Sequence, residues 1–170
     1  MKFEVIFDRV IGSEGGFTDN PKDPGNWTGG KVGKGELKGT KFGLAAHSYP
    51  HLDIRNITKE QAREEYYKWF VAGKLDLLPS VMQYQMFDAR FNHGAKWANK
   101  LLQRAVKVDD DGFIGPKTLA AVNAFDKADL PLRFIAYRTK FFTDLRHFDE
   151  FGRGWTRRIA ECLFYAATDN

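Results

Sequence analysis

Glu14 and Asp23 are the residues around which chemistry is most readily built. In MKFEVIFDRVIGSEGGFTDNPKDPG, Phe3, Phe7 and Val10 fall at helical spacing, and Glu14 continues the same face where the pattern calls for another hydrophobe. Two glycines follow it, and Asp23 comes nine residues later inside a Pro/Asp/Gly loop. A glycosidic oxygen is a poor leaving group, so a proton must arrive as the C–O bond breaks. Its donor must stay protonated near neutral pH, which desolvation of a carboxyl achieves. A second carboxylate in wetter surroundings can orient or deprotonate a water, or stabilise an oxocarbenium-like transition state. A nearby threonine hydroxyl, with Thr40 the candidate, can hold that water. The same residues also read without chemistry, Glu14 as a helix-end residue exposed by the turn and Asp23 as a loop cap. Spacing alone leaves both readings open.

The elements that must position these groups are mostly helical. The spacing predicts a first helix over residues 2–13, stopped by Gly15 and Gly16. Residues 17–40 read as loop or short hairpin, with extended pieces flanking a glycine turn. So long a weakly structured segment in a compact domain is usually functional. TKFGLAAHSYP predicts a short helix ended by Pro50. Thr58-Lys-Glu-Gln61 reads as a capping box opening the next helix, with Ala62, Tyr66, Trp69 and Phe70 at helical period. Ser80-Val-Met-Gln83 reads as a second such box, for a helix to about Asn92 with Phe87 and Phe91 inward. Gly94 breaks it, and AKWANKLLQRAV continues as another helix. A turn through Asp109, Asp110, Asp111 and Gly112 leads to a helix with Pro116 in its first turn. Two amphipathic helices, over 129–148 and 154–167, close the chain, with Gly152 and Gly154 between them. The fold class is mainly α with one small β element.

Composition bounds the rest. The 170 residues suffice for one sizeable core or two small lobes, and 43% hydrophobic with 28% charged residues is ordinary for a globular chain. No apolar run approaches the roughly 18–20 residues of a membrane span. Glu4 and Asp8 interrupt the N-terminal apolar stretch, which argues against a secretory signal peptide. The single Cys162 cannot form an internal disulfide, fits a reducing compartment, and is expected to be a buried hydrophobe. A net charge of +4 suits an anionic partner, but no nucleic-acid motif accompanies the scattered basic residues.

Further candidates weaken on inspection. His47 and His51 have a zinc-like spacing, yet Pro50 interrupts any helix that would align them and no HExxH glutamate is present. Asp109–Gly112 lacks the alternating ligands and terminal glutamate of an EF-hand. Nothing orients a histidine towards Cys162 as in a cysteine peptidase. Trp27, in the loop, is the best candidate for stacking on a sugar among Trp27, Trp69, Trp97 and Trp155, and Trp69 reads as core. Asp88 and Asn92, four apart in FDARFNHG, share a helical face, while Asn92-His93-Gly94 equally reads as a helix cap. The C-terminal helices mix Arg and Lys with aromatics. They are expected to pack those aromatics inward, with weak contact to an anionic membrane as the alternative.

Several segments carry a family resemblance. EGGFTDNPKDPG followed by TKFGL resembles the signature of glycoside hydrolase family 108: a glutamate before two glycines, an aromatic, a Pro-x-Asp-Pro-Gly loop, then Thr-x-x-Gly-aliphatic. YPHLDIRNITKEQA, FDARFNHG and GWTRR match further. LLQRAVKVDDDGFIGPKTLAAV resembles the peptidoglycan-binding-type half often joined to this hydrolase domain. The family comprises peptidoglycan muramidases, many of them phage endolysins. The resemblance therefore implies a lysozyme-like, mainly α fold, with a catalytic region at 1–92 and a helical wall-binding-like region at 93–170 packed against it. It implies hydrolysis of the β-1,4 bond between N-acetylmuramic acid and N-acetylglucosamine, with Glu14 as general acid and Asp23 and Thr40 handling water.

The same likeness sets the remaining expectations. Asp88 and Asn92 would lie along the cleft, Asn92 hydrogen-bonding a sugar N-acetyl group. An inserted stretch, NWTGGKVGKGELKG, brings Thr28 into competition with Thr40, which the following Gly43-Leu44 context favours. Inversion is the expected stereochemical course, because the second carboxylate sits on a loop with room for water. No cofactor or metal is required, the partner is the peptidoglycan glycan strand, and a monomer is expected. An endolysin of this type would wait in the host cytoplasm for release to the wall. Two other classes stay open: a lytic transglycosylase, for which one glutamate suffices, and a non-catalytic wall-binding module.

Overall fold

An apolar stripe with a glycine behind it makes the first helix, α1 (Phe3–Ile11), in the computed structural model, which describes residues 1–12 and 16–169. Ile6, Phe7, Val10 and Ile11 are its buried face, and Glu4 in the first turn opposes the positive end of the helix dipole. The helix ends earlier than its sequence pattern predicts. Gly12 takes a φ of 54°, a conformation that favours glycine, so it rather than Gly15 or Gly16 closes the element.

The chain divides into two compact units, Lys2–Trp69 and the chain from Phe70 onward together with Met1. In the first unit, Phe7 meets Tyr66 at 5.9 Å between ring centroids, and Lys59 pairs with Asp8 at 2.6 Å. These contacts join α1 to α2 (Lys59–Ala72), whose remaining residues run on into the second unit. The capping box before α2 forms as predicted: the Thr58 N–H donates to Gln61 Oε1 at 2.9 Å, and the Gln61 N–H donates to Thr58 Oγ1 at 3.2 Å.

Between those helices the predicted short helix over TKFGLAAHSYP is absent. Thr40–Lys41 (β1) and Leu44–Ala45 (β2) pair antiparallel instead, with Thr40 opposite Ala45 and Lys41 opposite Leu44. Phe42 and Gly43 form the two-residue loop with φ of 50° and 76°. Two positive φ values in succession match the right-handed twist of a hairpin and cannot continue a helix. The strain at Phe42 is offset by the Tyr66 hydroxyl, which donates to the Phe42 carbonyl at 3.0 Å. A second hairpin, held by a single bridge between Trp27 and Leu37, closes residues 27–37, as the glycine-turn pattern predicts.

The second unit is built on α3 (Ser80–His93), in which every residue from Tyr84 to Arg90 is buried. A helix buried on all sides shows little amphipathic period, because no face is left for water. It packs against α4 (Ala95–Ala105), α6 (Asp129–Thr143) and α7 (Phe148–Thr168). α5 (Pro116–Ala124) begins with its proline at the first helical position, as predicted. Pro79, not Ser80, occupies the N-cap of α3, and Gln83 Nε2 donates to the Leu78 carbonyl at 3.1 Å, so the second capping box does not form. Gly152 and Gly154 do not separate two helices; both lie inside α7. A Cβ at Gly152 would come within 3.0 Å of the Phe148 ring, so this glycine lets the ring lie flat on its own helix.

The aromatics of α6 and α7 are shared between interior and surface. Phe134 and Phe142 are buried, whereas Phe151 and Phe164 are exposed. Among the described residues no helix is long and apolar enough to cross a membrane.

Candidate active site

The Asp23 loop and the Thr40 strand are joined by one buried amide. Asp23 caps a single 3-10 turn, Pro24–Asn26, its Oδ1 accepting the Gly25 N–H at 2.8 Å. That turn delivers Asn26 to a fully buried position. There Asn26 Oδ1 accepts the Thr40 hydroxyl at 2.7 Å, and Nδ2 donates to the Asn20 carbonyl at 3.0 Å. The Asn26 carbonyl accepts the N–H groups of Lys38 and Gly39, each at 3.0 Å. One side chain thus ties the loop before the 3-10 turn to the strand that follows the long insertion. Because Nδ2 is committed to a carbonyl, Oδ1 must be the acceptor and Thr40 the donor. The Thr40 oxygen keeps its lone pairs for another donor.

The strand itself is clamped from the N-terminal side. Thr18 and Thr40 exchange backbone hydrogen bonds at 3.0 and 2.8 Å. Gly39, at φ 82°, lies so close to Thr18 that a Cβ would sit 2.5 Å from its carbonyl oxygen. Only glycine admits that approach. The Asp23 turn in turn docks on the end of β2, where the His47 N–H donates to the Gly25 carbonyl at 3.1 Å.

Within this frame Asp23 is exposed and Thr40 half-buried. Among the described residues the second carboxylate oxygen of Asp23 has no hydrogen-bond partner. Thr28 differs from Thr40: its hydroxyl accepts the Glu36 N–H at 2.9 Å and so closes the small hairpin. Trp27 is half-buried, its indole N–H donating to the Pro21 carbonyl at 2.9 Å, which fixes the ring against the Asp23 loop. Glu14 lies outside the described residues. His47 Nε2 contacts the Ser48 hydroxyl at 2.9 Å, and among the described residues no three His, Cys, Asp or Glu side chains converge to hold a metal.

Asp88 and Asn92 sit in the other unit, with different surroundings. Asp88 is only 2% exposed; Oδ2 accepts from Arg138 at 2.8 Å and Oδ1 from Arg158 at 2.7 Å. Both oxygens are consumed by guanidinium groups, so the sequence-based assignment of Asp88 to sugar contact is corrected: its carboxylate is a buried counter-ion joining α3, α6 and α7. Asn92 is exposed, and its amide donates to the Asp88 carbonyl at 2.7 Å, one turn back on its own helix. Cys162 is buried beside this cluster, 3.3 Å from an Arg138 nitrogen, and burial pushes its thiol up to about 11. Burial also raises the Tyr84 hydroxyl far above its ordinary range. His93, packed between Phe141 and Phe142, is pushed down to about 3, first by desolvation and then by the Arg138 charge.

Comparison with known proteins identifies the family. Residues 7–94 match the family described as Glycosyl hydrolase 108. The chain belongs to that family. Residues 93–160 of this glycosyl hydrolase 108 protein match a family described as Predicted Peptidoglycan domain. Among solved structures, SagA of Brucella abortus is similar at 28% identity with a TM-score of 0.77, over 98% of this chain and 94% of its own. No curated protein matches the chain. The two family matches make this a peptidoglycan-degrading glycosyl hydrolase. The architecture is the expected one, mainly α and lysozyme-like with one small two-stranded antiparallel sheet among the described residues.

For a glycosyl hydrolase 108 chain, the residue that sequence reasoning passed over is Asn26. It has no helical or alternating period around it, and asparagine in a Pro/Gly stretch reads as turn chemistry. The available signal was its place three residues after Asp23, where a 3-10 turn carries a residue inward. Arg138 was missed for a similar reason: a fully buried arginine looks, in sequence, like any other cation of an amphipathic helix.

Proposed function

We propose that the chain hydrolyses the β-1,4 bond between N-acetylmuramic acid and N-acetylglucosamine, as a muramidase. Glu14 donates its proton to the glycosidic oxygen, and a water held by Asp23 and Thr40 attacks the anomeric carbon. The observation that supports this division of labour is the Asn26 network. Thr40 spends its only proton on Asn26, so towards a water it acts purely as an acceptor. Asp23 offers a second acceptor. A water that donates one hydrogen to each is left with its own lone pairs for attack, and Asp23 takes the proton released. Thr28 is disfavoured because its hydroxyl oxygen closes the neighbouring hairpin. Glu14 enters on the sequence motif, one acidic residue before two glycines.

Mass spectrometry of digested, purified peptidoglycan tests the reading. Reducing muramic ends are expected. Anhydro ends would assign the chain to transglycosylation, and no new ends would make it a wall-binding module. Glu14→Gln should abolish release of fragments while leaving thermal unfolding nearly unchanged; retained activity removes Glu14 from the mechanism. Inversion is proposed for the stereochemical course, and the anomer first formed, read by proton NMR, decides it.

A further inference from the structure

The geometry points to a wall-anchoring subsite on the second unit: the groove between α4 and α6, lined by Trp97, Tyr137, Phe141, Arg104 and Lys140, binds an acidic N-acetylmuramyl-peptide segment of peptidoglycan. This inference rests on the reading of the chain as peptidoglycan-degrading. The groove encloses about 410 Å³ and has Leu101 in its lining, which is 1% exposed and forms a dry base. Trp97 and Tyr137 stay 43% and 37% exposed there, although each is large enough to be driven inward. Trp97 is held in place by Phe141, whose ring lies 5.1 Å away. Exposed aromatic rings over a buried aliphatic base are the surface that the apolar face of a pyranose covers, since its C–H groups lie on the electron-rich faces of the aromatics.

Charge selects the acidic occupant. Arg104 lies 6.0 Å from the Trp97 ring centroid and is tied to Asp110, which holds the guanidinium on the rim. Lys140, across the groove, has no ion-pair partner among the described residues. Asp144 is the one carboxylate in the lining and can accept from sugar hydroxyl or amide groups. An aromatic base with an unpaired ammonium at its edge suits a glycan that carries carboxylates on its peptide stem. It suits neutral chitin-like chains less well. The groove also falls inside residues 93–160, the stretch matched by the peptidoglycan domain family.

Sedimentation of the full chain with purified sacculi at low temperature tests the subsite, run beside hydrolysis of insoluble wall and of short soluble muropeptides. Trp97→Ala should weaken sedimentation about five- to tenfold, the scale of one lost aromatic contact, and slow digestion of insoluble wall. Cleavage of soluble fragments should stay at the wild-type rate. Lys140→Glu should weaken binding and remove part of its salt sensitivity. Phe164→Ala, at an exposed position of α7, should change nothing. If Trp97→Ala proves unstable, Lys140→Glu decides alone, and wild-type sedimentation by that variant overturns the proposal. A wild-type protein that digests wall while Trp97→Ala sediments normally also overturns it. A wild-type protein that cleaves nothing, yet loses sacculus binding on Trp97→Ala, keeps the subsite and refutes the hydrolytic reading instead.

Discussion

Removing the Asn26 side chain is the sharpest perturbation of the candidate site, because it leaves both proposed water-handling side chains, Asp23 and Thr40, in place and removes only the amide that orients Thr40. Asn26→Ala deletes two hydrogen bonds, to the Thr40 hydroxyl at 2.7 Å and the Asn20 carbonyl at 3.0 Å. The backbone bonds from Lys38 and Gly39 survive. A buried partner left unsatisfied costs about 1–3 kcal/mol. Asn20 is exposed and Thr40 half-buried, so water can reach both, and the low end applies to each. The expected destabilisation is therefore about 2–3 kcal/mol, or a fall in Tm of roughly 4–12 °C for a chain this size. Activity should fall further than stability accounts for. Without Asn26 the Thr40 hydroxyl rotates freely and can present its proton, instead of its lone pairs, to the water. Clearance of purified wall, measured well below the variant's Tm, should drop by at least tenfold. A double-mutant cycle with Thr40→Val separates the network from a general loosening. If the two residues act as a unit, the double variant is scarcely slower than the worse single one. Fully additive losses in rate, or an Asn26→Ala protein with wild-type clearance, would refute the claim that this amide orients Thr40.

Other consequences follow from the second unit. Asp88→Asn strips the counter-charge from Arg138, a guanidinium with no exposure, and should destabilise by about 3–5 kcal/mol in denaturant unfolding; a shift below 1 kcal/mol would mean that the pair is not buried in solution. His93 is held neutral down to about pH 3 when folded, against about 6.5 when unfolded. Between those values the unfolded chain binds a proton that the folded chain does not, so this contribution is complete above pH 6.5 and is lost as pH falls. His93→Phe should flatten that acid limb of the Tm profile, and an unchanged limb would show that His93 does not titrate in this way. Cys162, raised to about 11 and buried, should resist thiol reagents at pH 8 until the protein is unfolded. Modification of the native protein at the rate of a free thiol would contradict its burial.

What could be read from sequence divides along a physical line. Local signals were legible where nothing distant competes with them: the Thr58–Gln61 box and Pro116 at a first helical turn are each decided within one helical turn. The same logic failed at Ser80–Gln83, because Pro79 held the cap position and Gln83 found carbonyls of the preceding turn. At Phe42-Gly43 the sequence offered an aromatic where a hairpin loop favours asparagine or aspartate, and the compensating bond comes from Tyr66, 24 residues away. Gly152 and Gly154 looked like a break since glycine weakens isolated helices by about 1 kcal/mol. Packing of Phe148 over Gly152 overrides that preference. Asp88 was legible as important and misread in kind: sequence shows a carboxylate on a helix face, but not the two arginines, 50 and 70 residues on, that close over it.

On the proposed mechanism, the candidate site departs from apolar logic for a reason that lies in its chemistry. A carboxylate that must meet water cannot be positioned by burying it, and a loop of Pro, Gly, Asp and Asn has little apolar surface with which to fix itself. Polar bonds with definite direction perform that task here. The Asp23 carboxylate caps its own turn with one oxygen and keeps the other for solvent, and the turn carries Asn26 inward, where every side-chain polar atom is satisfied. Rigidity is thus generated in the dry interior and transmitted outward through Thr40 to the wet surface. A hydrophobic residue at position 26 would fill the same space but leave the threonine undirected. The requirement is therefore for an amide with both donor and acceptor, and this explains why a single buried asparagine stands where the loop and the strand meet.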